Sequence, residues 1–380
     1  MPASNFFTRK INLPYQANGK AVDRIPRDGV IRSLFIRLSG QLTLTAANNL
    51  RANILLGDEW AVIQRLEIIA NNNTIRSLPG SALWPLNRYY YGLRPAICTQ
   101  LGDSITNGAA TGTLNPFFDS VVEIPFWQPR SAKPIEHALP AHLLNDLRVE
   151  ITWGSHLSIS AQATAFTIAP SLEVSAMYST PIEGEFKMTR VYPISTSVPA
   201  ANQRQRVNIP TGPQYRGFLI NCRNSTGLTE QSFFTTALQT MYSNEANAAT
   251  PGANQGIRNF KLTSGDVNFM DLSEPVVWQE MFLHNDILFP QQYGFNKAAA
   301  AVPAGLGTNI VTSNQGFTNV PTRVSSSADD RAWYMIDLVR DGYNTEMLDT
   351  FGWTELFFEL DVQAAQLIDV YPLEVTPVRQ

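Results

Sequence analysis

The 380-residue chain contains the same pattern twice. Ile63-Gln64-Arg65-Leu66-Glu67-Ile68 aligns with Ile257-Arg258-Asn259-Phe260-Lys261-Leu262 at an offset of 194 residues. The match continues without a gap: Ile75 falls on Phe269, Leu78 on Leu272, Leu83 on Val277 and Trp84 on Trp278. In each copy an alternating strand ends at a turn, Asn71-Asn72-Asn73 or Ser264-Gly265-Asp266, built from residues that tolerate the positive φ of tight hairpins. A second strand follows, then a short amphipathic helix expected to begin near Ser81 or Ser273, where a serine oxygen can accept from free amides. Each copy next enters a long polar loop, Gly92 to Pro116 or Gln291 to Arg331. Loops of that length are usually functional, and their matching placement makes them exposed crowns on a repeated scaffold. The copies realign where Leu147, Val149 and Ile151 fall on Leu356, Phe358 and Leu360, now 209 residues apart because the second loop is longer. Two alignments in the same order mean a duplicated domain.

The repeating unit is built of strands. Leu147, Val149, Ile151 and Trp153 share one face of an alternating run, and Leu356 to Val362 alternates again; helical periodicity is scarce. An antiparallel all-β protein fits. About eight strands, a short helix and a long loop per copy suit a jelly roll, which leaves few long edges exposed. The expected architecture is two tandem eight-stranded jelly rolls. An N-terminal arm would occupy 1–28, the first roll 29–185 and the second 186–380, the boundary falling where Pro181, Gly184 and Pro193 break the strand pattern.

Composition indicates what the surfaces are for. Charged residues make up 16%, against about 25% in ordinary soluble proteins. Of the 28 basic residues only Lys10, Lys20, Lys133, Lys187, Lys261 and Lys297 are lysine, and aromatics reach 10%. Arginine-rich, lysine-poor, aromatic-rich surfaces are those of protein–protein interfaces. The alternative source of this bias is compositional drift. The net charge of −4 gives no general attraction to nucleic acid. Cys98 and Cys222 form neither a disulfide framework nor a zinc site, and no cofactor is expected. No apolar leader follows Met1 and no run approaches a membrane span, so a cytosol-like compartment is the expectation and the sequons at Asn72 and Asn224 go unused.

Catalytic patterns are missing: there is no nucleophile elbow, phosphate loop or H-E-x-x-H. Glu136-His137 with His142 is the nearest constellation, but Pro140 lies between the histidines, and cupins need a His-x-His pair that this chain lacks. The chain is read as a non-enzyme. Trp84 and Trp278 could be stacking platforms; their equivalent places beside Leu83 and Val277 favour repeated core anchors. Tyr89-Tyr90-Tyr91 divides between core and rim in a way the sequence leaves open. Arg9, Lys10, Lys20, Arg24 and Arg27 precede the first expected strand. A basic residue near an anionic leaflet is worth about 1 kcal/mol, so these five are candidates for an inner-face or membrane contact. A solvated arm, or one clasping a neighbouring subunit, is the competing reading.

The duplicated unit, Leu66 to Ile75 followed by Gly80-Ser81-Ala82-Leu83-Trp84 and Phe260 to Phe269 followed by Glu274-Pro275-Val276-Val277-Trp278, resembles that of double jelly-roll major capsid proteins. That lineage includes adenovirus hexon and the coat proteins of tailless, membrane-containing icosahedral phages. The resemblance implies a structural subunit of the virion capsid: three copies would form a pseudo-hexagonal capsomer that tiles an icosahedral shell. Its partners would be itself, penton and minor capsid proteins and an internal viral membrane, without specific nucleic-acid binding. Some phage members begin with an amphipathic helix; Pro2, Pro14 and Gly19 break this one. The alternative function is a two-domain β-sandwich that binds or hydrolyses glycans, for which Asp337 and Asp341 are the available carboxylates.

Overall fold

The computed structural model describes residues 5–7, 10–45, 57–93, 96–99, 113–129, 134–159, 163–180, 185–198, 203–224, 257–273, 276–277, 280, 333–339, 346–362 and 366–377. The first half contains β1 (Asn5–Phe7), β2 (Ile11–Pro14), β3 (Lys20–Arg24), β4 (Val30–Thr45), β5 (Ile63–Ala70), β6 (Asn73–Leu78), β7 (Ala96–Thr99), β8 (Thr113–Leu114), β9 (Phe117–Pro125), β10 (Leu147–Trp153) and β11 (Ala163–Ser179). The second contains β12 (Lys187–Val191), β13 (Ile194–Val198), β14 (Gln203–Asn208), β15 (Gln214–Asn224), β16 (Ile257–Ser264), β17 (Val267–Ser273), β18 (Trp333–Asp337), β19 (Leu348–Asp349), β20 (Phe357–Val362) and β21 (Gln366–Pro377). The fold is all-β.

Strand pairing repeats to the residue. Ile68 opposes Arg76 and Ile69 opposes Thr74, so Ile75 is a bulged extra residue. At the same offset of 194, Leu262 opposes Met270 and Thr263 opposes Asn268, leaving Phe269 bulged. Strand β5 then pairs with β10 as β16 pairs with β20, with matching slips at Gln64 and Arg258. The pairing of β3 with β10 recurs as β14 with β20. In the opposing sheets β4 lies between β9 and β11, and β15 between β18 and β21. Arg32 and Arg216 are the extra residues at equivalent slips of these long strands. Strands β1 and β2 both pair with β11, as β12 and β13 both pair with β21. Counting each such pair as one interrupted strand, and setting aside β7, β8 and β19, which have no counterpart in the other roll among the described residues, gives eight strands per roll.

Alternation does the folding work. Along β10 the pattern is strictly buried and half-buried in turn, placing Leu147, Val149, Ile151 and Trp153 inside. At the β5–β6 turn Asn71 and Asn72 have φ of 49° and 63°, and Gly265 has 56° at the equivalent turn.

Three expectations change. Residues 1–28 contribute β1, β2 and β3 to the sheets, because Ile11, Leu13 and Ala21 have a core to enter. Ser81 does not cap the helix α1 (Gly80–Pro85): Pro79 occupies the N-cap without a side-chain bond, and Ser81 lies buried as the second residue of the first turn. Gly80 is needed there since a Cβ would collide with the Trp60 carbonyl. The loop from Gly92 to Pro116 is not wholly irregular, since its β7 pairs with β9 and its β8 with β4. The second loop, 291–331, lies outside the described residues. Residues 276, 277 and 280 are helical, matching the place of α1 in the repeat.

Candidate assembly edges and the seam between the rolls

The two rolls meet where β6 of the first runs parallel to β12 of the second, with Arg76 opposite Val191. This joint fuses a sheet of each roll into one ten-stranded sheet. β6 therefore has neighbours on both sides, and Ile75, Arg76, Ser77 and Leu78 are all buried.

A buried polar network lines the seam. The Arg76 guanidinium donates to the Thr189 carbonyl, and to that of Pro125 at 3.4 Å. Its planar fork suits two acceptors at once. The Gln128 amide donates to the Thr189 hydroxyl and accepts from the Tyr90 hydroxyl. Tyr91 donates to the Pro125 carbonyl at 3.3 Å. From the second roll Arg216 donates to the Pro129 carbonyl and sits over the Tyr90 ring. Tyr89, Tyr90 and Tyr91, which the sequence left divided between core and rim, are all buried, carried by the π-helical turn Leu86–Tyr91 that extends α1.

Burial dominates the electrostatics here. It pulls the Arg76 guanidinium down, against the opposing influence of Tyr91 and Tyr90. It pushes the Tyr90 hydroxyl well up. His137 is buried with neither ring nitrogen hydrogen-bonded among the described residues, and burial, followed by the charges of Arg216 and Lys187, lowers its pKa to about 4. Outside the seam, burial raises Glu59 to about 7, although its carboxylate accepts the Gly57 amide at 3.0 Å.

The edges away from the seam differ. Among the described residues β17, the equivalent of β6, pairs only with β16 and ends its sheet. Val267 is 57% exposed and Phe269 42%, the latter stacked on Trp353 with ring centroids 4.9 Å apart. Among the described residues β1, the equivalent of β12, pairs only with β11 and ends the sheet of the first roll.

The basic residues singled out in the sequence are spread over the first roll. Arg9 lies outside the described residues. Lys10 pairs with Glu173 at 3.1 Å and Lys20 with Glu150 at 2.6 Å. Arg24 is exposed at the end of β3, and Arg27 donates to the Leu144 carbonyl. Trp84 is buried in α1, while Trp278 lies outside the described residues. His142 contacts the Gly29 carbonyl at 3.3 Å. Asp337 accepts the Val339 amide at 3.0 Å, and Asp341 lies outside the described residues. Cys98 is exposed and Cys222 buried, both unbridged. Among the described residues no group of three or more His, Cys, Asp or Glu could hold a metal ion, and no helix is long and apolar enough to cross a membrane.

No family model matches the chain, and no curated protein matches it in sequence. Solved structures do match in fold. The STIV MCP, from Sulfolobus Turreted Icosahedral Virus, superimposes with a TM-score of 0.62 over 98% of this chain and 97% of its own, at 14% identity. The capsid of the PBCV-1 virus gives a TM-score of 0.55 over 99% of this chain and 94% of its own, at 10% identity. The major capsid protein P2 from Bacteriophage PM2 gives 0.52 over 98% and 99%, at 10% identity. The fold of this chain is the double jelly roll of viral major capsid proteins.

Proposed function

We propose that the chain is a structural coat subunit, the major capsid protein of an icosahedral virus, acting as a homotrimer of pseudo-hexagonal outline. The observation that carries this reading is that two eight-stranded rolls, end to end, account for nearly the whole described chain and match viral coat proteins along it. Six similar lobes from three chains can tile a closed shell with one gene product. Low charge and arginine-rich composition suit surfaces covered by copies of the same chain. We divide the chain between the rolls near 185/186 and count β1 to β3 with the first roll.

The finer parts of the reading follow from it: penton and minor capsid proteins as neighbours, production in a host cytoplasm, and an inner face carrying Arg9, Lys10, Lys20, Arg24 and Arg27 toward an internal membrane. Mass photometry of the purified protein tests the first claim. A species of three times 42.2 kDa that survives dilution supports it, and a stable monomer at micromolar concentration overturns it. Co-sedimentation with anionic vesicles tests the second: salt-sensitive binding lost on reversing Arg24 and Arg27 supports the membrane-facing surface, and no binding overturns it.

A further inference from the structure

The seam inside the chain is a template for a contact it cannot make with itself. Strand β6 is covered by β12, but among the described residues the equivalents of these strands, β17 and β1, are sheet edges, one in each roll. Position by position β17 is the more open: Ile75 is buried where Phe269 is 42% exposed, and Ser77 is buried where Asp271 is exposed. Open edges of this kind are templates for pairing with another chain. We propose that β17 of one copy joins β1 of the next, reproducing the β6–β12 joint between chains. This deepens the trimer reading and rests on it.

The register follows from the pairings above. Val191 opposes Leu373 in β21, and Phe7 opposes Met177 in β11, the position equivalent to Leu373. Arg76 opposes Ile68, and Met270 opposes Leu262, 194 residues on. The in-chain pair Val191–Arg76 therefore becomes Phe7 of one copy opposite Met270 of its neighbour. Such a contact is heterologous, edge to opposite edge, and it closes into a ring when the step between rolls divides a full turn. With two rolls per chain, the trimer closes after six steps, three joints within chains and three between them. The occupant of β17 is thus a second copy of this chain, fixed by a joint the molecule already contains.

The test is a cysteine pair. In a Cys98→Ser background, Phe7→Cys combined with Met270→Cys places thiols at directly opposed positions of neighbouring strands, within the span a disulfide bridges. Mild oxidation is expected to give a covalent trimer on a non-reducing gel, with neither single variant doing so. If mass photometry still reads a trimer but the pair does not cross-link, the trimer stands and this joint is wrong. If the protein with its natural residues is monomeric, the trimer reading itself fails. Hydrogen exchange on unsubstituted protein gives an independent answer should the double variant misfold. The outward amides of 267–273 should be protected in the trimer and exchange once it dissociates. Rapid exchange in the intact trimer, or protection retained in the monomer through cover by the chain's own loops, overturns the proposal.

Discussion

Arg76 of the first roll donates a hydrogen bond to the carbonyl of Thr189 in the second, across a seam closed to water. The same guanidinium serves the Pro125 carbonyl and lies over the Phe126 ring, so one side chain ties β6 to β12 and to the end of β9. Arg76→Ala removes a donor from buried carbonyls and leaves a cavity in the joint. The expected loss is about 3 kcal/mol, read as a lower chemical-denaturation midpoint. Arg76→Lys should recover little of it, since a single ammonium cannot reproduce the fork.

His137 and Glu59 give the fold opposite pH dependences. The folded pKa of His137 lies near 4, below its ordinary 6.5, so burial favours the neutral ring. Its contribution is complete above about pH 6.5 and is lost as the pH falls toward 4, up to about 3 kcal/mol. Melting temperature should therefore drop across that window, and His137→Phe should flatten the drop.

Glu59 runs the other way. Its folded pKa near 7 exceeds the ordinary 4.5, so its contribution is complete below about pH 4.5 and is lost as the pH rises through 7. Glu59→Gln should raise the melting temperature at pH 8, by an amount equivalent to up to about 3 kcal/mol, and change it little at pH 4. An unchanged melting temperature at pH 8 would show that burial does not hold this carboxyl above its ordinary range.

Helix α1 is held from both ends of its short length. Trp84→Ala removes a buried indole and should destabilise by about 4 kcal/mol. Gly80→Ala, a substitution that stabilises most helices, should destabilise this one, because the new methyl meets the Trp60 carbonyl. Thermal melts of the two variants separate packing loss from backbone collision: Gly80→Ser should be as damaging as Gly80→Ala, whereas Trp84→Phe should recover much of the Trp84→Ala loss.

The sequence was most legible where both copies keep apolar residues at the same alternating positions. Ile63 to Leu78 and Leu147 to Trp153 have their partners at offsets of 194 and 209, and the structure keeps those registers through every slip. Elsewhere the copies agree in backbone but not in side chain. Ala21 in β3 corresponds to Gln205 in β14, one buried and one not, so no alignment of residue types joins them. Strands β1 and β2 lie in the stretch that reads as an arm without clear periodicity; β2 ends at Pro14, and a proline is tolerated at the end of a strand. In β2 the faint signal was Ile11-Asn12-Leu13-Pro14, which alternates buried and exposed. The seam was illegible for another reason. Arg76, Tyr90, Gln128 and Arg216 are polar residues made interior by contact between rolls, and no local periodicity records which surface another domain will cover.

The connection at 180–186 between β11 and β12 gives the ring two kinds of link. Within a chain, the short tether holds the joining surfaces at a high effective concentration, in the millimolar range for such linkers, whatever the bulk dilution. Between chains no tether operates, and the contact must stand on its own affinity. Substitutions that weaken β12 should therefore be absorbed silently, while equal damage at β1 or β17 should determine whether rings assemble at all.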